Sequence, residues 1–198
     1  SCFAGCLGSD AFGDLHLREL EREGVDTAGV IRGNAPTPFS VVIAQPDGRR
    51  ALVNHSAPGA KASAAIQLPP KPPRVMLFDG REVETAKEWM AYAKRHDVTT
   101  VLDAGSLHTG TELLAPDVDY LVCSEKFARQ VSGCKNRSAA FSAVCDMTRH
   151  VVVMTVGAAG LFWYSRGQSG ECPAYPADPV ATTGAGDAFH GAFVYCLA

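Results

Sequence analysis

Residues 74–103 read RVMLFDGREVETAKEWMAYAKRHDVTTVLD, and the fold class turns on how this stretch divides. Arg74 to Phe78 is an apolar run of strand length that ends at Asp79-Gly80. Val83, Ala86, Met90 and Ala93 then recur at helical spacing and mark one face of a helix. Val98 to Leu102 is the next strand, ending at Asp103. Strand, helix, strand in this rhythm calls for parallel βαβ units: an α/β fold with a doubly wound, mostly parallel sheet and helices on both faces.

Downstream the rhythm continues. Tyr120 to Cys123 is a strand, Glu125 to Val131 a helix stopped by Gly133, and Arg137 to Thr148 a further helix. Val151 to Thr155 is β-branched, as buried strands are. Gly157-Ala158-Ala159-Gly160 turns into a strand at Leu161 to Ser165, Arg166-Gly167-Gln168 makes a hairpin turn, and Glu171 to Tyr175 pairs back. Upstream, Ser1 to Leu7 is a strand followed by a helix with Asp10 as N-cap, Gly24 as stop and Phe12, Leu15 and Leu20 as its buried side. Val25 to Arg32 returns to strand character. Pro38 to Gln45 and Arg49 to His55 flank Pro46-Asp47-Gly48, a hairpin turn signal, and the resulting hairpin suits a small β lid over residues 37–55. Pro58-Gly59-Ala60 opens a short helical stretch, and Pro69 to Pro73 is a stiff connector.

The chain has 198 residues, is 46% hydrophobic, and carries a net charge of −3 without any cluster of Lys or Arg. That excludes an electrostatic footprint for nucleic acid or an anionic membrane and points to a small-molecule partner. No apolar run approaches the roughly 20 residues of a membrane helix. Seven cysteines without metal-ligand spacing fit reduced thiols in a cytoplasm. His16, His96, His108 and His150 form no pair with ligand spacing. Ser1 lies in strand-like sequence and Ala198 in an apolar helix, so the chain is read as a single domain, 1–198, cut from a larger protein.

In an open α/β sheet, ligands bind beyond the carboxyl ends of the strands. Asp79, Asp103, Ser124 and Gly157 all sit where a strand has just ended. The stretch Thr182-Thr183-Gly184-Ala185-Gly186-Asp187-Ala188-Phe189-His190-Gly191 should share that edge. It reads as a glycine loop opening into an apolar helix, and a helix start offers unpaired N–H groups and the positive end of the dipole to an anion such as a phosphate. Asp187, in the first turn, either stabilises the helix or takes a proton from a bound molecule. The apolar helix should bury it unless something polar faces it.

These residues resemble the ribokinase-like (PfkB) family of sugar kinases. Gly184-Ala185-Gly186-Asp187, with Thr183 before it and Ala188-Phe189 after it, is similar to the family's C-terminal signature. Met154 to Gly160 resembles its strand-to-glycine segment, Gly5 to Gly13 running on to Gly24-Val25-Asp26 its early strand-helix segment, and the Asp47-Gly48 hairpin its lid. The resemblance implies an ATP-dependent sugar kinase using Mg²⁺. Amides of Gly184, Ala185 and Gly186 would hold the transferring phosphate, and Asp187 would be the base on the sugar hydroxyl. Thr155, Gly157, Gly160, Thr183 and Ser124 would lie near the nucleotide phosphates. Glu125 is a metal candidate in a shifted place, and Asn54, His55 and Asp103 are weaker candidates for the acceptor sugar. The exposed hairpin edges suggest a homodimer through the lid. The family's N-terminal glycine-asparagine signature would precede Ser1, and most of its adenine pocket would follow Ala198.

Two positions depart from the family pattern. Ala181 stands where the family places an acid, and Phe127 where its Asn-x-x-Glu motif, mapped onto Ser124 to Phe127, places the glutamate. They keep open a catalytically weak sugar- or nucleotide-binding relative with a regulatory role. A ribokinase-like nucleoside kinase is the other alternative. No residue chooses the acceptor, though the segment Asp103 to Gly133 leans toward a ketohexose.

Overall fold

The structure, a computed structural model, describes residues 1–44, 50–55, 66, 68–69, 71–148, 150–179 and 181–198. The Pro46-Asp47-Gly48 turn, the stretch opening at Pro58-Gly59-Ala60 and Pro70 of the connector lie outside the described residues. The chain divides into two compact units, Ser1–Pro70 and Lys71–Ala198.

In the first unit, β1 (Cys2–Gly8) pairs in parallel with β2 (Asp26–Gly33), and α1 (Ala11–Arg22) connects them. The Asp10 carboxylate caps α1 by accepting from Gly13 N (2.8 Å), and it also accepts from Thr37 N (2.8 Å) and Thr37 Oγ1 (2.7 Å). These bonds, that of Gly13 first, pull its pKa down to about 2. Thr37 is buried. The expected buried side of α1 is not borne out: Phe12 and Leu15 are exposed and Gly13 is the buried residue. Two paired strands are too narrow to cover a whole helix face, and Phe12 instead stacks on Phe39 at 4.9 Å. The hairpin forms as β3 (Phe39–Ala44) against β4 (Arg50–His55), antiparallel. Val41, Val42, Ile43, Leu52 and Val53 are exposed on it.

The second unit is built on a six-stranded sheet. In chain order it has β5 (Val75–Phe78), α2 (Val83–Arg95), β6 (Thr99–Ala104), α3 (Thr109–Leu114), β7 (Tyr120–Ser124), α4 (Glu125–Ser132), α5 (Arg137–Cys145) and β8 (Val151–Thr155). A 3₁₀ turn at Gly157–Ala159, β9 (Leu161–Ser165), β10 (Gln168–Cys172) and α6 (Ala185–Leu197) complete it. The strand order is β10-β9-β8-β7-β6-β5; β5 to β8 run parallel, while β9 and β10 run antiparallel.

Strand alternation divides the core between the two faces. Leu102, Leu121, Val152 and Met154 pack with Met90 and Ala93 of α2, Phe127 and Ala128 of α4, and Ala140 and Val144 of α5. Val101, Val122 and Val153 point the other way, against Phe189, Phe193, Val194 and Leu197 of α6. Helices on both faces of a mostly parallel sheet are what the 74–103 rhythm called for.

Several boundaries moved. β6 continues through Asp103, which still pairs with Val122. α5 ends at Cys145 rather than Thr148, where Met147 N turns back to Val144 O. The return strand begins at Gln168, not Glu171, because Arg166 (φ 49°) and Gly167 (φ 82°) complete a two-residue turn with both φ positive. α3 was not expected. Among the described residues no helix is long and apolar enough to cross a membrane.

Candidate active site

Within the second unit, the carboxyl ends of four parallel strands bring together residues distant in sequence. Asp79 follows β5, Asp103 is the penultimate residue of β6, and Ser124 and Thr155 close β7 and β8. The ladder sets Ser124 beside Thr155 and Asp103 beside Val122. Helix α6 begins near this edge, since Asp187 in its first turn lies close enough to Asp103 to act on it electrostatically.

The start of α6 has the shape of an anion cradle. Gly184 is its N-cap at φ 80°, a left-handed conformation that suits glycine. Ala185 N donates to Thr182 O (3.3 Å) and Ala188 N to Gly184 O (2.9 Å). Among the described residues, no backbone carbonyl accepts from the amides of Gly186 and Asp187 between them. A Cβ added to Gly186 would meet nothing within 4 Å. Open space, two available amides and the positive end of a helix fit a phosphate. Asp187 itself is exposed, contrary to the expectation that the apolar helix would bury it. Phe189, His190 and Phe193 turn toward the sheet, and Asp187 lies off that face.

Asp103 is partly buried, and that burial pushes its carboxyl above the usual range; the nearby Asp187 and Asp79 push the same way, while His190 opposes them. His190 is buried, 5% exposed, with Nδ1 3.4 Å from Asp103 Oδ2. The sequence reading missed His190 as a site residue. It looked for histidine pairs at ligand spacing, whereas this ring's partners are Asp103 and the carbonyls of Gly186 and Val122. His108 was also passed over. It precedes α3, and its pKa is lowered by burial first and then by Arg81.

The other expected residues fall as follows. Ser124 Oγ accepts from Phe127 N (3.0 Å), capping α4, and donates to Gly105 O (2.8 Å). Thr155 Oγ1 donates to Cys123 O (3.3 Å). Gly157 (φ 62°) and Gly160 (φ 97°) bracket the 3₁₀ turn, and at Gly160 a Cβ would run into the Cys172 carbonyl oxygen. Thr183 immediately precedes the Gly184 cap. Glu125 faces two guanidiniums, Arg129 at 2.7 Å and Arg137 at 3.0 Å, and hydrogen bonds from Arg137 and then Arg129 hold its carboxyl below the usual range. Its charge is matched by the protein itself. Phe127, at the departing position, is fully buried in the core. Asn54 and His55 belong to the first unit, where Asn54 Oδ1 accepts from Ser40 Oγ (2.8 Å) and His55 leans on Phe39 at 5.1 Å.

Among the described residues no group of three or more His, Cys, Asp or Glu side chains is gathered to ligate a metal. A divalent ion here would therefore arrive on phosphates and take one or two carboxylates, as Mg²⁺ commonly does. Asp103 and Asp187 are the carboxylates at the cradle.

Comparison with known proteins bears on the family and the fold. The chain is 25% identical over 207 residues to the deoxyribokinase of Salmonella typhi, covering 96% of this chain and 66% of that protein. It is 26% identical over 219 residues to fructokinase-1 of Oryza sativa subsp. japonica, covering 98% and 67%. A fructokinase from Vibrio cholerae O395 shares the fold at a TM-score of 0.83 and 22% identity, covering 98% of this chain and 70% of that one. The chain thus spans about two thirds of the length of these relatives. A family model described as pfkB family carbohydrate kinase matches residues 1–198, and the chain belongs to the PfkB family of carbohydrate kinases.

Proposed function

We propose that the protein is an ATP-dependent sugar kinase that transfers the γ-phosphate to a sugar hydroxyl. The observation that carries this reading is the first turn of α6, where available amides and the Asp187 carboxylate stand side by side at the carboxyl edge of the sheet. Mg-ATP, when bound, supplies the phosphoryl group, with the metal neutralising phosphate oxygens. The chain's own part is to position and to move one proton. Of the amides of Gly184, Ala185 and Gly186 expected to hold the transferring group's oxygens, that of Gly186 is available as the turn stands, while that of Ala185 would have to leave Thr182 O; the helix dipole stands behind them. Asp187 takes the hydroxyl proton as the sugar oxygen attacks, and its exposure leaves it open to an acceptor. Thr155, Gly157, Gly160, Thr183 and Ser124 border the nucleotide phosphates, and Asp103 faces the acceptor or the metal. Glu125, already matched by two arginines, is better suited to orienting them than to ligating a metal. The Vibrio cholerae fructokinase was solved with fructose, ADP and a calcium ion, which supports a nucleotide and a divalent cation here.

The acceptor belongs to the sugars or ribosides. The exposed apolar residues of the hairpin support pairing with a second copy, which the solution mass of the full-length protein would test. Activity is tested by assaying full-length protein with Mg-ATP against ketohexoses, pentoses, 2-keto-3-deoxy acids and nucleosides. Phosphorylation of one acceptor class is expected; ATP binding without turnover of any acceptor would instead make the protein a binding relative. Asp187→Asn should leave folding and ligand binding intact while lowering turnover at least ~10²-fold, the lower value of a positioned base. Near-normal turnover would remove Asp187 from the role.

A further inference from the structure

Helices α4 and α5 gather a group of cations that the cradle of α6 does not use. Glu125, the first residue of α4, accepts on Oε1 from Arg129 Nη2 (2.7 Å), Arg129 Nε (3.1 Å) and Arg137 Nε (3.1 Å), and on Oε2 from Arg137 Nη2 (3.0 Å). Arg129 Nη1 donates to the Lys135 carbonyl. The Glu125 side chain is 21% exposed, while those of Arg129 and Arg137 are 43% and 41% exposed, so both guanidiniums still reach water. With Lys126 and Gln130 these residues line an open cavity of about 560 Å³.

Donors and acceptors around this cavity are unequal. Both Glu125 oxygens are taken by the arginines, and Gln130 Oε1 accepts from Leu107 N (2.9 Å), which leaves its amide NH₂ as the open group. Among the described residues nothing accepts from Arg137 Nη1, Lys126 Nζ or Gln130 Nε2. The lining side chains therefore carry three positive charges against one negative, and the side-chain groups left open are donors. One arginine would neutralise Glu125; the second arginine and Lys126 are surplus to that purpose. Two guanidiniums held by one carboxylate are planar forks set in advance, which suits a phosphate, a group that offers only acceptors. The surplus of two charges matches the roughly −1.5 to −2 of a phosphomonoester near pH 7. The cavity also exceeds a phosphate group in size, leaving room for a carbon skeleton against the aliphatic stems of Lys126 and Arg129.

We propose that the α4–α5 cavity is an anion site, separate from the cradle, that binds the phosphate group of a small phosphorylated metabolite. The same chemistry accepts inorganic phosphate, and the test tells the two apart. The site goes beyond the kinase reading and does not depend on it. Calorimetric titration of the full-length protein, with a non-hydrolysable ATP analogue and Mg²⁺ at saturation to occupy the cradle, measures binding of glycerol 3-phosphate and of inorganic phosphate. Saturable binding of glycerol 3-phosphate is expected, tighter than that of phosphate. Arg137→Gln and Lys126→Gln should each weaken it roughly 10-fold, the worth of one hydrogen bond to a charged group, whereas Arg18→Gln on α1, an exposed cation elsewhere, should not. Among the described residues Lys126 holds no ion pair, so its variant decides the matter even if Arg137→Gln releases Glu125 and unfolds. Equal affinity for phosphate and glycerol 3-phosphate would overturn the metabolite in favour of free phosphate. No saturable binding, binding abolished by the nucleotide analogue, or wild-type affinity in Lys126→Gln and Arg137→Gln would overturn the site. If the protein binds no nucleotide the kinase reading fails, while the two variants still locate the phosphate.

Discussion

Phe127 offers a sharp test of how this chain departs from its family. Among the described residues it is the largest of the fully buried side chains, and it packs in the core between the sheet and α2, α4 and α5. Its position is the third residue of α4, and its N–H donates to the Ser124 hydroxyl at 3.0 Å. Phe127→Ala deletes a ring from a site with no exposed surface, which costs about 3–5 kcal/mol when the cavity cannot collapse. At a urea slope of about 2 kcal/mol/M, a mid-range loss moves the midpoint down by roughly 2 M. Phe127→Glu asks more. A glutamate three residues after the Ser124 cap could complete a capping box, but that gain of about 1 kcal/mol does not offset a carboxylate placed in an apolar slot. Its midpoint should fall at least as far as that of the alanine variant, with no gain in Mg²⁺-dependent turnover. Urea unfolding followed by far-UV circular dichroism, together with the kinase assay, reads both. A glutamate variant with the wild-type midpoint and faster turnover would refute the reasoning, because it would mean that this side chain faces the site and not the core.

Asp10 should make the first unit sensitive to acid. Its folded pKa is lowered to about 2 from 3.8, so its contribution is fully present above pH ~4 and is lost as pH falls toward 2; Asp10→Ala should be less stable at neutral pH and lose less between those values, measured by circular dichroism from pH 7 to 2. Gly160→Ala should cost about 1–3 kcal/mol from its positive φ alone, more from the clash with the Cys172 carbonyl, and should raise KM for ATP if the 3₁₀ turn borders the nucleotide; an unchanged melting temperature would count against the backbone geometry.

The second unit was legible because its strands are buried on both faces. A parallel strand covered by helices must be apolar along its length, and Val98 to Leu102 and Val151 to Thr155 announce themselves that way. The stop of α4 was legible too, since Gly133 takes its left-handed cap. The first unit was less so. A helical pattern of Phe12, Leu15 and Leu20 states which side is apolar but not whether anything wide enough lies beneath it. The return strand after Arg166-Gly167 was misplaced by three residues because Gln168 was counted into a turn that both positive-φ residues had already closed.

The site divides along the same physical line. Asp187 and the cradle glycines could be read locally, since a helix start declares its own unpaired amides in sequence. The burial of His190 could not, because its partners Asp103 and Val122 lie on strands 87 and 68 residues away. Sequence reading treats an i, i+3 or i, i+4 pair on a helix as a pair of surfaces, yet here Gly186 and His190 are joined by the carbonyl of one and the ring of the other. The signal available was the histidine itself, a polar residue placed among Phe189, Phe193 and Val194 on the side of α6 that faces the sheet. Burying such a ring without partners is unfavourable, so its presence in that row required acceptors on the strand ends. Those acceptors sit beside the residues proposed for the chemistry, and this is why the same ring also belongs to the electrostatics of Asp103.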